Sequence, residues 1–462
     1  KMVLKNIRKS GKLMQFICTI FISIHGLVYG FMVGWSAPTL PQLSAEDSIF
    51  PSGPLTEGEV SLIISIMMLG GLAGSIFFGW QADRFGRKWP MVISVLPLVV
   101  ALVVIAIAQN TMYLYAARFL AGFSGGGLFI FAAIYVNEIS ENSIRGTLGS
   151  IQGLLYNFGV IVAYVVCSYM PFYTAPFVAL GILACFALFI FFPESPQYLL
   201  LKHKYEEAEK SLKFFRGNST EEKAKLEFKS MKESIAAASS KTSLSIEDFK
   251  PATTRKAILI SYIIGMGRNL AGILPLMNYI VDIFALAGSN LSPNISAIIV
   301  GFIHLVGTII AAYYTDKVGR RILLIPTLVG VGLCLTILGV YFLLNEKGYD
   351  LTSVSWLPIV CLSGAFFLGA AVINLPIYVT TELLPARVRG SVMTVFLITV
   401  WPINFLILQY YTTVANHLGL YSCMWIFAGW NFLEAVFAYF MLPETKGKSA
   451  DEIVQALEGK VK

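Results

Sequence analysis

The sequence carries one charged pattern twice. Residues 83–88 read Asp-Arg-Phe-Gly-Arg-Lys, and residues 316–321 read Asp-Lys-Val-Gly-Arg-Arg. In each copy the glycine permits a tight turn between two helices because it has no Cβ, and the basic side chains can pair with carboxylates. A glutamate followed seven residues later by an arginine also occurs twice, at residues 138–145 and 382–389. These residue types predict two charged networks, one in each half of the chain.

Such a network can hold two parts of a protein together in one conformation and release them in another. The alternative is that the charges only keep their loops on one side of a membrane. Both copies keep the same order at similar spacing, with offsets of 233 and 244 residues, and we therefore favour gating networks. The gating candidates are Asp83, Arg84, Arg87, Glu138, Arg145, Asp316, Arg320, Arg321, Glu382 and Arg389.

Long apolar stretches separate these charged turns. The chain is 56% hydrophobic and only 13% charged, which is about half the charged fraction of a soluble domain. This composition excludes a soluble globular protein, a disordered chain and a coiled coil. A membrane-spanning helix needs about 20 apolar residues. We predict twelve spans, numbered 1 to 12: 13–36, 60–80, 90–109, 112–137, 147–169, 175–192, 256–282, 295–315, 322–344, 356–380, 391–415 and 421–442.

Basic residues lie almost entirely on one side of these spans. Of the 34 Lys and Arg residues, 31 fall in the two tails and in the gaps after even-numbered spans. Lys347 falls on the opposite side, and Arg118 and Arg268 lie within spans. Because cytoplasmic loops carry the excess of Lys and Arg, we expect a multi-pass protein of the cell membrane with both termini in the cytoplasm.

The predicted fold is an all-α membrane protein with two six-helix bundles. The bundles comprise residues 1–193 and 256–442, and residues 443–462 form a cytoplasmic tail. The segment 194–255 is rich in Lys, Glu and Ser, with charge pairs four residues apart that support short helices. We interpret it as a cytoplasmic helical linker, and the alternative is a docking segment regulated by phosphorylation.

The ordered set of motifs resembles the sugar porter family of major facilitator transporters. Besides the charged turns, the resemblance rests on Arg-Phe-Leu-Ala-Gly at residues 118–122, Pro-Glu-Ser-Pro at 193–196 and Pro-Glu-Thr-Lys-Gly at 443–447. It covers nearly the whole chain. Residues 34–38 resemble the insect branch, which includes facilitated trehalose transporters. The resemblance implies two six-helix halves related as parallel repeats, with the substrate site between them near the middle of the membrane.

The positions at which sugar porters bind substrate are largely rewritten in this sequence. The family's Gln-Gln pair in span 7 corresponds to Arg268 and Asn269, and its span 5 Gln corresponds to Gly153. Asn157 and Asn278 each follow a lost amide position by four residues, on the same helix face. They either replace the lost amides or pack between helices. The substrate-binding candidates are Gln152, Asn157, Arg268, Asn269, Asn278, His304, Trp401 and Asn404.

Two arginines within spans require separate explanations. A charge near the middle of a membrane is costly and usually faces a cavity or a partner. For Arg268 we keep open an ion pair with Glu434 or Asp282, a contact with substrate that includes an anionic one, and a misplaced span boundary. Proton-coupled sugar porters pair the arginine equivalent to Arg118 with a carboxylate in span 1. Here that position is Met32, which predicts passive transport.

The favoured function is facilitative transport of a sugar, either trehalose or a hexose, by alternating access between the two halves. The alternatives are a carrier of an anionic or other small metabolite on the same scaffold, and a sugar sensor that does not transport. We find no catalytic constellation and no metal-ligand set, and we expect no enzymatic activity and no cofactor. The basic loops follow membrane topology and do not indicate nucleic acid, and we expect a monomer in the lipid bilayer. Asn290 and Asn294 are candidate glycosylation sites between spans 7 and 8.

Overall fold

The computed structural model is almost entirely helical. It describes residues 12–48, 50–82, 84–217, 225–233, 245–288, 291–448 and 450–458. Within these ranges the chain forms α-helices and short 3₁₀ helices and has no β-strand. The predicted all-α fold class is therefore confirmed.

Eleven helices in the described part of the chain are long and apolar enough to cross a membrane. They coincide with predicted spans 1–5 and 7–12, with span 7 in two pieces. Their bounds are Leu13–Ser44, Glu57–Ala82, Lys88–Ala106, Thr111–Ile139, Arg145–Tyr169, Ala252–Leu270 with Ile273–Leu286, Pro293–Val318, Arg320–Glu346, Leu357–Leu383, Ala386–Leu418 and Leu420–Met441.

Span 6 has a different structure from the other spans. It consists of an α-helix, Ala175–Ala184, followed directly by a 3₁₀ helix, Cys185–Phe191. A 3₁₀ helix rises about 2.0 Å per residue, against about 1.5 Å for an α-helix. The combined stretch is therefore about 29 Å long and matches the hydrocarbon core of about 30 Å. The 3₁₀ segment lets this short stretch serve as the twelfth crossing.

Span 7 is interrupted near its middle. The first half-helix ends at Leu270 and the second begins at Ile273. Between them Gly272 has a φ of +90°, a backbone conformation that favours glycine. A Cβ at this position would also lie 2.5 Å from the ring of Phe427. The break places Arg268 in the last turn of the first half-helix.

Spans 1–6 meet spans 7–12 mainly through three helix pairs. Span 2 packs on span 11, span 5 packs on span 8, and span 1 packs on the second half-helix of span 7. Within each group the most extensive contacts join spans 2 and 4, spans 1 and 5, and spans 9 and 12. The division of the chain at residues 193 and 256 remains a prediction from the sequence.

Short helices cover one face of the first group of spans. They are Pro196–Leu201, Tyr205–Arg216 and 225–233. Arg216 donates a hydrogen bond to the carbonyl of Ile139 at the end of span 4 (2.8 Å). Gln15, at the start of span 1, donates to the carbonyl of Phe215 (3.0 Å). We call this side of the molecule the linker face, which carries residues 84–88, 138–145, 316–321 and 382–389, and the opposite side the far face.

Two further short elements lie on the linker face beside spans 7, 10 and 11. The 3₁₀ helix Ile246–Phe249 forms an ion pair with span 11 through Asp248 and Arg387 (2.9 Å). The helix Ala450–Leu457 packs against spans 7 and 10. Lys256 in span 7 donates to the carbonyl of Leu457 (2.9 Å). A cation at a helix C-terminus is favourable because the unpaired carbonyls there carry partial negative charge.

Candidate functional site

One ion pair of each predicted charged network forms, and it joins residues of the same half. Arg87 pairs with Glu138 (3.3 Å), and Ser195 also donates a hydrogen bond to Glu138. In the second copy Arg320 pairs with Glu382 (2.9 Å), to which Thr445 donates. Among the described residues, no ion pair or hydrogen bond joins spans 1–6 to spans 7–12 on the linker face.

A second glutamate in each network binds the start of a helix. Glu194 accepts hydrogen bonds from the backbone N–H groups of Arg87 and Lys88 (3.1–3.2 Å) at the start of span 3. Glu444 accepts from the N–H groups of Arg320 (2.9 Å) and Arg321 (3.1 Å) at the start of span 9. The first N–H groups of a helix lack partners within the helix, and a carboxylate there is stabilised.

The glycine of each charged turn makes room for this carboxylate. Gly86 and Gly319 have φ values of +97° and +117°. A Cβ at Gly86 would lie 2.4 Å from a carboxylate oxygen of Glu194, and one at Gly319 would lie 2.8 Å from Glu444. The glycine is therefore required by backbone conformation and by close approach in both copies.

The two glutamates have opposite pKa shifts. Burial raises the pKa of Glu194, and the N–H groups that it accepts from only partly offset this effect. Burial also acts to raise the pKa of Glu444, but hydrogen bonds from the backbone of Lys446 and of the start of span 9 outweigh it and lower the pKa. The same position thus holds a less stable charge in the first half than in the second.

The remaining gating candidates have other contacts. Arg84 stacks on the ring of Trp80, with the guanidinium carbon 4.5 Å from the ring centroid. Arg389 donates to the carbonyl of Leu384 (3.0 Å). Arg321 donates to the carbonyl of Tyr439. Arg145 lies at the start of span 5 and has no hydrogen bond or ion pair with a described residue. Asp83 lies outside the described residues, as does the side chain of Asp316.

On the far face, polar side chains join spans 2 and 11. In span 2, Glu57, Ser61 and Ser65 lie four residues apart, and residues at this spacing share one face of a helix. We call the following three hydrogen bonds the far-face ladder: Asn416 to Glu57 (2.6 Å), Ser61 with Thr412 (2.5 Å) and Ser65 to Gln409 (2.6 Å). These residues were not among the candidates predicted from the sequence. Their spacing of three and four residues in two apolar helices was the available signal, but it is also typical of ordinary helix packing.

Three more hydrogen bonds join the halves closer to the middle of the spans. They run from Trp401 to Ser75 (2.9 Å), from Asn157 to Thr308 (2.9 Å), and from Tyr164 to the carbonyl of Met277 (2.7 Å). Trp401 and Asn157 were substrate-binding candidates, and here both side chains bond the opposite half.

Open space borders span 5 toward the linker face. Gly149 and Gly153 are one helical turn apart, and a Cβ at either would have no atom within 4 Å. Among the described residues, the hydrogen bonds between the halves therefore lie on the far face and near the middle of the spans.

Arg268 has no protein acceptor in the described part of the chain. It makes no ion pair within 4 Å and no hydrogen bond there, and its guanidinium interacts electrostatically with the phenol of Tyr156 in span 5. The expectation of an ion pair with Glu434 or Asp282 is not met. Glu434 is 1% exposed and lies against the backbone of Gly267, with both carboxyl oxygens lacking hydrogen bonds. Asp282 lies on the second half-helix, close to Tyr279.

Arg118 has the opposite environment. It is 1% exposed, and its Nε donates to the carbonyl of Ile63 (3.1 Å) while Nη2 donates to the hydroxyl of Ser36 (3.0 Å). Nη1 donates to the carbonyl of Met32. The guanidinium carbon also lies 5.7 Å from the ring centroid of Trp35. Two helices supply all these acceptors, and Arg118 therefore needs no carboxylate partner.

The remaining substrate-binding candidates fall into two groups. Asn404 donates to the side-chain oxygen of Asn269 (3.2 Å), so this pair lies beside Arg268. The Oδ1 of Asn404, the Nδ1 of His304 and the Nε2 of Gln152 are buried without a partner. Asn278 donates to Leu274, one turn earlier in its own helix (2.9 Å). The structure thus brings together Arg268, Asn269 and Asn404, and uses Asn278 within span 7.

Of the two glycosylation candidates, only Asn294 lies within the described residues. Asn290 lies outside the described residues. Asn294 lies in the first turn of span 8, and its Oδ1 is buried without a hydrogen-bond partner. Glycosylation of either residue remains a prediction.

Comparison with known proteins adds three findings. Residues 18–457 match the family model described as "Sugar (and other) transporter". The facilitated trehalose transporter Tret1 of Aedes aegypti is 29% identical over 97% of this chain and 56% of its own length, and the Tret1-2 homolog of Drosophila simulans is 29% identical over 97% and 91%. Apart from the Drosophila simulans protein, the chain spans about half the length of the curated relatives it matches.

Solved structures show the same fold. The inward-open xylose transporter XylE from E. coli aligns with a TM-score of 0.75 at 20% identity, over 97% of this chain and 100% of that chain. XylE bound to 6-bromo-6-deoxy-D-glucose aligns with a TM-score of 0.72 at 21% identity, over 96% and 98%. Together with the match of the family model over nearly the whole sequence, this fold shows that the chain is a multi-pass membrane protein of the sugar (and other) transporter family.

Proposed function

We propose that the protein is a facilitative carrier that moves a sugar across the membrane by alternating access between two six-helix halves. The observation that carries this proposal is the asymmetry of the interface. The far-face ladder joins the halves on one side, and on the other side Gly149 and Gly153 border open space. We take this space as the path toward Arg268, Asn269 and Asn404. A solute that enters from the linker face can reach these side chains without crossing the ladder.

The positive-inside distribution of Lys and Arg supports a cytoplasmic linker face. With that orientation, the conformation described here is open to the cytoplasm. Release to the other side requires the halves to part at the far-face ladder and to meet at the linker face. Each hydrogen bond of the ladder contributes a net stability of about 1 kcal/mol. Three such bonds can be exchanged for new contacts without a large energy barrier.

The charged networks support the same exchange. In the conformation described, the ion pair of each network joins residues of the same half. We propose that the networks shape the linker-face ends of spans 4, 5, 10 and 11, and that these ends approach each other when the linker face closes. The networks then set the balance between the two conformations.

Transport is proposed to be passive. The three donors of Arg118 bind Met32, Ser36 and Ile63, and span 1 has no carboxylate between Leu13 and Ser44. The position at which proton-coupled relatives hold a titratable group is therefore occupied by a backbone carbonyl acceptor.

Uptake into proteoliposomes tests this function. Purified protein is reconstituted, and entry of radiolabelled trehalose and glucose is followed with and without an inward proton gradient. We expect saturable uptake that stops at the external concentration under both conditions. Protein-free liposomes and liposomes with an unrelated membrane protein serve as controls. Accumulation above the external concentration under the gradient would contradict passive transport, and absence of saturable uptake of both sugars would contradict a carrier of neutral sugars.

Further properties are proposed on the same grounds. We propose that the protein acts as a monomer in the cell membrane with both termini in the cytoplasm. The substrate is trehalose or another sugar, in keeping with the names of the relatives. The unpaired Arg268 favours a second candidate, a carrier of anions on the same scaffold.

A further inference from the structure

Two arginines lie within spans and away from the charged turns, Arg118 and Arg268. Only Arg118 has hydrogen-bond acceptors within the protein. Arg118 has two backbone carbonyls and a hydroxyl as acceptors. Arg268 has none among the described residues. A guanidinium carries five N–H donors and no acceptor, and a charge at this depth needs a partner or a cavity. The acceptor for Arg268 therefore comes from outside the described protein groups.

No carboxylate of the described residues forms an ion pair with Arg268 within 4 Å. Glu434 contacts Gly267, the residue before Arg268. Both carboxyl oxygens of Glu434 lack hydrogen bonds, and Glu434 forms no ion pair with Arg268. In the opposite half, the guanidinium interacts electrostatically with the phenol group of Tyr156 in span 5. The guanidinium thus lies at the seam between spans 5 and 7.

The groups around this seam suit a polyhydroxylated molecule. Gln152 and Tyr156 are four residues apart and share one face of span 5. The Nε2 of Gln152 is buried without a partner, as is the Oδ1 of Asn404. Asn404 is joined to Asn269, the neighbour of Arg268 (3.2 Å). One donor on the face of span 5 that carries Tyr156, and one acceptor on the residue bonded to Asn269, therefore have no hydrogen-bond partner.

We infer that the substrate is a sugar acid, whose carboxylate binds Arg268 while its hydroxyl groups bind Gln152 and Asn404. This inference rests on the proposed function and narrows its substrate class. A carboxylate matches the planar guanidinium with two parallel hydrogen bonds. A neutral sugar offers the same hydroxyl groups but leaves the charge of Arg268 without a counter-charge.

Paired uptake of D-glucuronate and D-glucose in proteoliposomes tests the inference. We expect the wild type to take up glucuronate at least tenfold faster than glucose at equal low concentration, and D-gluconate to compete with glucuronate. Arg268→Gln should lower the ratio of glucuronate to glucose uptake at least tenfold. Arg268→Lys keeps the charge without the planar geometry and should give an intermediate ratio. Lys347→Gln, which removes a charge from a loop, should leave the ratio unchanged.

Ligand-induced thermal stabilisation of the detergent-purified protein provides a second measurement, which requires no transport. Glucuronate should raise the melting temperature of the wild type more than glucose does, because a ligand that binds the folded state stabilises it. Arg268→Lys should show a smaller increase, so the measurement holds even if Arg268→Gln does not fold.

Three results would overturn the inference. In the first, the wild type carries glucose while glucuronate uptake stays at the level of protein-free liposomes, and the proposed sugar carrier then stands. In the second, the ratio is unchanged in a folded Arg268→Gln protein. In the third, the wild type carries lactate but neither sugar nor sugar acid, and the proposed sugar function then fails as well.

Discussion

The linker face and the far face hold the two halves in different ways. On the linker face, charged side chains pair within one half, as Arg87 does with Glu138. On the far face, mostly uncharged side chains of spans 2 and 11 bond across the interface, as Ser65 does with Gln409. Separating paired charges leaves a buried group uncompensated, whereas exchanging neutral hydrogen bonds costs little. On the proposed transport cycle, the comparison predicts that the polar contacts of the far face are broken and remade, while the ion pairs persist within each half and bias the balance between the two conformations.

The strongest test of this comparison fixes the far face shut. Ser61→Cys with Thr412→Cys replaces a hydroxyl pair 2.5 Å apart, at a distance suited to side chains that form a disulfide. We expect oxidation to abolish uptake in proteoliposomes, because the halves can no longer part there, and a reducing agent to restore it. The single variant Ser61→Cys serves as the control for the native cysteines. Complete crosslinking with undiminished uptake would show that the far face does not open during transport.

A smaller effect is expected from the charged networks. Glu138→Gln or Glu382→Gln removes an ion pair and leaves its arginine partly buried. The balance between the two conformations should shift by about 1–3 kcal/mol, as for the loss of a charged hydrogen-bonded group. The reactivity of a cysteine introduced at Gly149, beside the open path, reports this shift. Glu209→Gln, which removes an exposed pair with Lys213, is the matched control. Unchanged reactivity in both network variants would mean that these glutamates only anchor the topology.

The smallest expected effect is on the pH dependence of stability, which should differ between Glu194 in the first network and Glu444 in the second. The pKa of Glu194 is raised, so its ionised form is less favourable in the folded protein than in the unfolded chain, and this position gains stability as the pH falls. The pKa of Glu444 is lowered, and its stabilising contribution is present near neutral pH and is lost as the pH falls through its folded pKa.

Melting temperatures measured between pH 7 and pH 4 resolve this difference. Glu444→Gln should destabilise at pH 7 by less than about 1 kcal/mol, since the group is partly solvated, and the difference from wild type should shrink toward pH 4. The stability of Glu194→Gln relative to the wild type should be highest at pH 7, where the wild-type carboxyl group is ionised at the largest cost. The same pH trend in both variants would show that the two positions are electrostatically equivalent.

Much of the fold could be predicted from the sequence because membrane insertion depends on local composition. Apolar length and the distribution of basic residues gave the spans and their order, and the repeated motifs gave the family, which the comparisons confirm. Membership in a transporter family also confirms the prediction that the chain is not an enzyme. The 3₁₀ segment Cys185–Phe191 and the break at Gly272 depend on tertiary packing, and periodicity does not reveal them.

The candidate site was less predictable than the fold. Asn157 and Trp401 lie at the interface, as their positions suggested, but both side chains bond the opposite half. The environment of Arg268 depends on helix rotation, since Glu434 reaches the preceding residue and not Arg268 itself. Hydropathy carries no information on such a rotation. The far-face ladder was missed because single Ser and Thr residues in apolar helices usually indicate packing alone.

The ion pair of each charged network joins residues of a single half, and this has a consequence for biosynthesis. Glu138 bonds to Arg87 and Ser195, and Arg216 bonds to Ile139 and Glu227. Every one of these partners is translated before span 7. Because domains generally fold as units during synthesis, the earlier one first, the first six helices can reach their native contacts at the translocon while the second six are still on the ribosome. The nascent half then presents a finished surface against which the later helices assemble.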